Sequence, residues 1–169
     1  MNSIGIIGCG VVGTAVKEGM SSHFEVLTYD TNKDSTCERI SSLVQRVDGP
    51  IFICVPTPMG EDGSCDISIV ESVIDEINEA ARYTEEVPIV AIKSTVVPGT
   101  TEMLSKKYAN IDIGFNPEFL TERNSVEDFK NQDRIVVGAH GAALHSICSC
   151  LKKAFPDVPV WGCSATEAE

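Results

Sequence analysis

Residues 3–16 read SIGIIGCGVVGTAV, an isoleucine-rich run that meets glycines at positions 8, 10 and 13 and continues into small and apolar residues. A G-x-G-x-x-G alone is common. It gains physical meaning when a strand leads into it, a helix leaves it and an acid stands about 20 residues on. Ser3–Ile7 has the continuous apolar character of a strand buried on both faces, and Val11–Met20 reads as the helix. The next apolar run, FEVLTYD (24–30), ends in Asp30, 22 positions after Gly8. In that setting Gly8 allows the tight turn, Gly10 lets backbone approach a pyrophosphate, and Gly13 lets helix and strand pack closely. The amides of Val11 and Val12 would meet the phosphates, with the helix dipole behind them. The Asp30 carboxylate would accept hydrogen bonds from an adenosine ribose and repel a 2′-phosphate, which predicts NAD rather than NADP. Nearby Lys33 and Arg39 read as solvated helix charges.

The same alternation continues outward. Apolar runs recur at PIFICV (50–55), PIVAI (88–92), IDIGF (111–115) and RIVV (134–137). Between them, residues 66–82 place Ile67, Val70, Val73, Ile74 and Ile77 at helical spacing. Ser35–Val47, Thr100–Tyr108 and Ala139–Phe155 are further helices, the first opened by a capping box of Ser35 and Glu38. Strands and helices in this alternation predict an α/β, Rossmann-like, doubly wound, mainly parallel sheet with helices on both faces, in a single domain.

Composition narrows the class. A formal net charge of −12 disfavours nucleic acid and anionic membrane as partners. No apolar run nears the ~20 residues that cross a bilayer, and no basic segment of a secretion signal opens the chain. A soluble, cytoplasmic protein is expected. The seven cysteines are odd in number and scattered without C-x-x-C pairs. They predict reduced thiols, mostly buried, with neither a disulfide framework nor a metal site.

Three strand exits carry further candidates, because ligands in such folds bind at the carboxyl ends of strands. CVPTPMG (54–60) and KSTVVPGTT (93–101) are proline-bearing turns that leave backbone groups free. GFNPEFLTERNS (114–125) holds Glu118 and Glu122 four apart, so on one helical turn both carboxylates would share a face. Lys93, Ser94, Thr95 and Asn116 would gather at the same edge. A carboxylate beside a hydroxyl and an amide there could position and deprotonate water. A solvated acidic loop is the alternative.

Taken in order, GxGxVG, CVPTP, KSTVVPGTT, NPEFLTE and DRIVVG resemble the UDP-glucose/GDP-mannose dehydrogenase family, over essentially the whole of its N-terminal NAD-binding domain. The resemblance implies oxidation of a nucleotide sugar's primary alcohol to a carboxylate with two NAD+, through a thioester on a cysteine. It implies a homodimer, made through a central helix, in the full-length protein. Carried over by position, Thr95 resembles the threonine that helps hold catalytic water, and Glu118 the glutamate that assists proton transfer and hydrolysis. Phe119, Leu120 and Glu122 lie in the stretch that resembles the sugar-contacting segment together with Glu118. Val55, Thr57, Thr95 and Asp30 would lie along the cofactor with the glycine loop.

There are departures. The cysteine motif has no counterpart in this chain, Arg123 stands where the family commonly has glycine, and Gln132 where it has proline. The chain ends in SATEAE (164–169), which has capping-box form and resembles the start of the central helix. The expected organisation is an NAD-binding domain over 1–163 and a truncated interdomain helix from 164. A stand-alone NAD sensor without catalysis, or another NAD-dependent dehydrogenase such as a 3-hydroxy-acid type, are the alternatives.

Overall fold

The apolar runs pair side by side into one sheet, described over all residues, Met1–Glu169, in a computed structural model. Its strands are β1 (Ser3–Ile7), β2 (Glu25–Tyr29), β3 (Ile51–Ile53), β4 (Ile89–Ile92), β5 (Asp112–Phe115), β6 (Ile135–Gly138) and β7 (Val160–Cys163). The spatial order is β2-β1-β3-β4-β5-β6-β7. The first five in sequence run parallel, β6 meets β5 antiparallel, and β7 runs parallel to β6. The order reverses between β1 and β3, which makes their carboxyl ends the crevice where such sheets bind ligands.

Alternate residues of each strand feed two cores. On one face, Ile7, Ile51, Ile53, Val90 and Ile92 pack against helices α2 (Ile40–Arg46), α3 (Ser68–Ala80) and α4 (Thr100–Lys107). On the other, Ile4, Ile6, Phe52 and Ala91 pack against α1 (Val11–Met20), α5 (Ser125–Lys130) and α6 (Gly141–Ala154). The α3 stripe is buried at Val70, Val73, Ile74 and Ile77, as its spacing predicts. Helix α7 (Ala165–Ala168) follows β7, and Ser164 and Glu167 make both bonds of the capping box. No helix is long and apolar enough to cross a membrane.

Three local expectations need correction. Helix α2 begins at Ile40 rather than Ser35, and no side chain caps it. Residues before it align along β2 instead: the Thr28 amide donates to Thr36 Oγ1 at 2.7 Å and the Cys37 amide to the Thr28 carbonyl at 3.0 Å. A threonine hydroxyl offered the backbone a partner outside the helix, and that partner won. Strand β7 was hidden by its glycine and by its place at the sheet edge, where Trp161 is 64% exposed. The thiols are all free, but only Cys37, Cys54 and Cys150 are buried, the other four being partly exposed.

Candidate functional site

The turn between β1 and α1 is built on two close approaches. Gly8 has φ +94°, and a Cβ on it would stand 2.6 Å from the Cys54 carbonyl oxygen of the next strand exit. A Cβ on Gly13 would stand 1.8 Å from the Gly8 carbonyl oxygen, so only glycine lets the helix start this close to the strand. Gly10, by contrast, faces open space, with nothing within 4 Å of an added Cβ. No side chain caps α1. Its first-turn amides, Val11 and Val12, have no helical acceptor and point where an anion would sit.

Asp30 closes this turn from the β2 side. Its Oδ2 accepts from the Cys9 amide at 2.6 Å and its Oδ1 from the Asn32 amide at 2.7 Å. Partial burial pushes the carboxyl up, but these amides and the Lys33 ammonium outweigh it and hold the group below the usual carboxylate range. Asp30 is therefore an acceptor at neutral pH, with lone pairs to spare. Lys33 does not sit on a helix as expected. Its Nζ donates to the Cys9 carbonyl at 2.6 Å, across the mouth of the glycine turn. A cavity of about 360 Å³ opens here, lined by Gly8, Gly10, Asp30, Lys33, Val55 and Ile69 among others. A larger cavity, about 530 Å³, lies at the opposite edge of the sheet beside Asp48, Glu85 and Glu86. It meets none of these groups.

The exits of β3 and β4 are stapled together. The Thr57 hydroxyl donates to the Thr95 carbonyl at 2.7 Å, and the Ser94 hydroxyl to the Val55 carbonyl at 2.7 Å. Thr95 itself is exposed.

The exit of β5 forms a second cleft, about 400 Å³, between this turn and the segment around α5. Lys93, Glu118, Phe119, Leu120 and Arg134 line it. The Arg134 guanidinium lies 4.4 Å over the Phe119 ring. The predicted helical turn is absent: residues 116–121 form no helix, and Glu118 Oε2 instead accepts from the Leu120 amide at 2.6 Å. Glu122 falls in a separate 3-10 turn, exposed and not among the residues that line the cleft. The Leu120 amide goes to the Glu118 carboxylate and the Thr121 amide to Asp128 Oδ2 at 2.7 Å, so side chains rather than a helical turn satisfy this backbone. The structure thus groups Gly8, Gly10, Asp30 and Val55 around one cavity and Glu118, Phe119 and Leu120 around another, both on the carboxyl edge. The gathering of Lys93 with Asn116 also forms, at 3.0 Å. The reach of Lys33 had no signal beyond its position three residues after Asp30.

Residues 35–155 match the profile of the UDP-glucose/GDP-mannose dehydrogenase family, NAD binding domain. The chain belongs to this family. A UDP-glucose 6-dehydrogenase of Haloferax volcanii is 29% identical over 174 residues, which is 80% of this chain and 40% of that protein. A UDP-glucose 6-dehydrogenase of Pseudomonas aeruginosa is 37% identical over 99 residues, 53% of this chain and 21% of that one. The UDP-glucose dehydrogenase structure from Pyrobaculum islandicum superposes with a TM-score of 0.85 at 27% identity, covering 99% of this chain and 47% of that one. The P. aeruginosa GDP-mannose dehydrogenase structure, at 22% identity and a TM-score of 0.82, shares the fold. The chain spans less than half the length of each of these relatives.

The cofactor of this family domain is NAD, and the residues present fit it. The open space over Gly10 is where a Cβ would intrude on a pyrophosphate, and the free first-turn amides face it. Asp30 keeps acceptor capacity for ribose hydroxyls, and its charge opposes a 2′-phosphate.

Proposed function

We propose that this chain is the NAD-binding half of a nucleotide-sugar 6-dehydrogenase, whose whole protein oxidises a sugar primary alcohol to a carboxylate for polysaccharide biosynthesis. The single observation that carries this is the pairing of a dinucleotide cavity at Asp30 with a carboxylate-bearing cleft at Glu118, on one edge of one sheet. NAD+ supplies the hydride acceptor. Gly8, Gly10, Gly13 and the amides of Val11 and Val12 hold its phosphates, Asp30 its ribose, and Val55, Thr57 and Thr95 its flank. Glu118 takes and returns protons at the oxygen of the sugar's primary alcohol, and Thr95 holds the water of the hydrolytic stage. Phe119 and Leu120 give the nucleotide sugar an apolar wall, with Glu122 at its outer margin.

Residues 1–163 act as the NAD-binding domain, and the helix capped at Ser164 leads toward the partner domain that carries the cysteine and the homodimer contact. Free thiols throughout the chain suit a reducing, cytoplasmic setting. Titrating the isotopically labelled chain with UDP-glucose and GDP-mannose in the presence of NAD+ tests the cleft. The expected result is amide shifts concentrated in residues 117–134, reduced when Phe119 is replaced by Ala. Shifts scattered over the surface, or none with either sugar, would contradict the nucleotide-sugar assignment.

A further inference from the structure

Lys93 is the one buried cation of the fold, 3% exposed at the end of an otherwise apolar strand. It takes part in none of the ion pairs. Its Nζ instead meets the Asn116 Oδ1 at 3.0 Å, the Asn116 carbonyl at 3.2 Å and the Pro117 carbonyl at 3.4 Å. An ammonium has three donors, and this turn presents it with three oxygens. Asn116 completes the bracket: its amide donates to the Ile92 carbonyl at 2.9 Å and its Nδ2 to the Val136 carbonyl at 2.7 Å. One lysine and one asparagine therefore tie the exits of β4 and β5 to β6. The next residue after Pro117 is Glu118.

Burying a cation costs several kcal/mol, and an apolar side chain would fill the same space without that penalty. We propose that Lys93 is a positioning residue that fixes the Asn116–Pro117 turn and, through it, the aim of the Glu118 carboxylate into the cleft. The inference rests on the reading of Glu118 as the proton-transfer group. The surroundings make the bracket sensitive to pH. Burial pulls Lys93 down to about 8, opposed by the charge of Glu118. The Cys54 thiol, facing it from the exit of β3, is pushed up to about 12 by burial and stays neutral. Helix α5 presents the Phe129 ring at 5.7 Å, and Glu127, Asp128, Asp133 and Arg134 lie on the rim of the same cleft. As Lys93 loses its proton it keeps two donors for three oxygens, and the turn loosens.

Nuclear magnetic resonance of the labelled chain between pH 6.5 and 9.5 tests this. The Lys93 side-chain carbon beside Nζ and the backbone amides of Asn116 and Leu120 are expected to move together, with one midpoint. In Lys93→Arg the two amides should hold their low-pH positions throughout. In Lys93→Met they should be displaced at every pH and no longer titrate. Amides that stay still while Lys93 titrates, or that titrate unchanged in Lys93→Met, would overturn the proposal. Should Lys93→Met fail to fold, the wild-type titration and Lys93→Arg still decide. UDP-glucose added to the same samples separates the two readings, since silence in the cleft counts against the substrate while the coupling of Lys93 to the turn stands.

Discussion

Gly13 and Asp48 show how single atoms decide this fold. A methyl group on Gly13 would overlap the Gly8 carbonyl, so Gly13→Ala must push helix α1 off β1. Overpacking of this kind costs roughly 1–3 kcal/mol or more. We expect a lower urea midpoint together with lost NAD+ affinity, whereas a variant as stable as wild type would show that the turn can give. Asp48 acts at the other end of β1. Partial burial pushes its carboxyl up, but the amides of Ser3 and Asn2, the Ser3 hydroxyl and the N-terminal ammonium bring it down to about 2. A folded value below the unfolded one of about 3.9 stabilises the protein above pH 4 and is lost as pH falls toward 2. The side chain is 45% exposed, so screening reduces the effect to at most about 1 kcal/mol. Asp48→Asn should flatten the fall in urea midpoint between pH 4 and 2. Parallel curves for the two proteins would rule Asp48 out as its source.

Elements differ in how plainly their residues announce them. Strands β1 to β6 and helix α3 were legible because burial on both faces, or on one stripe, needs unbroken apolar patterns. Helix α2 is shorter than its pattern predicts, because Thr36 pairs with Thr28 of the edge strand β2, a competition that no helix periodicity reveals. Helix α5 went unread since six residues with one buried side chain, Phe129, carry no periodicity. The NPEF turn was placed at the right edge but given the wrong local shape, since Glu118 bonds the Leu120 amide rather than joining Glu122 on a helix. Helix α7 has a role its length does not suggest. The Glu169 carboxylate accepts from the Gly99 amide at 2.5 Å and the Thr101 amide at 2.7 Å, capping α4 from a distance. It thereby ties the last residue to the loop that carries Thr95. Glu169→Ala should cost about 1 kcal/mol, as loss of a helix cap does. Urea unfolding measures it, and an unchanged midpoint would mean that water replaces the carboxylate without loss.

On the scale of the molecule, the sheet order brings every candidate group to one edge. The reversal between β1 and β3 opens the dinucleotide crevice, and the parallel run through β5 carries the cleft at Glu118 to the same side. The charge of −12 makes this edge work through local donors, the first-turn amides of α1 and the ammonium groups of Lys33 and Lys93, rather than through a general positive field. We propose that Asp30 sets the cofactor choice within that arrangement. Hydrogen bonds to a charged acceptor are worth roughly 1.5–3 kcal/mol, or about 10–100-fold in affinity. Isothermal titration of the wild-type chain and of Asp30→Ala with NAD+ and NADP+ is the most direct measurement. Wild type should bind NAD+ at least about tenfold more tightly than NADP+, and Asp30→Ala should lose most of that preference by weakening NAD+. No binding of NAD+ by the wild-type chain, or tighter binding of NADP+, would contradict the account.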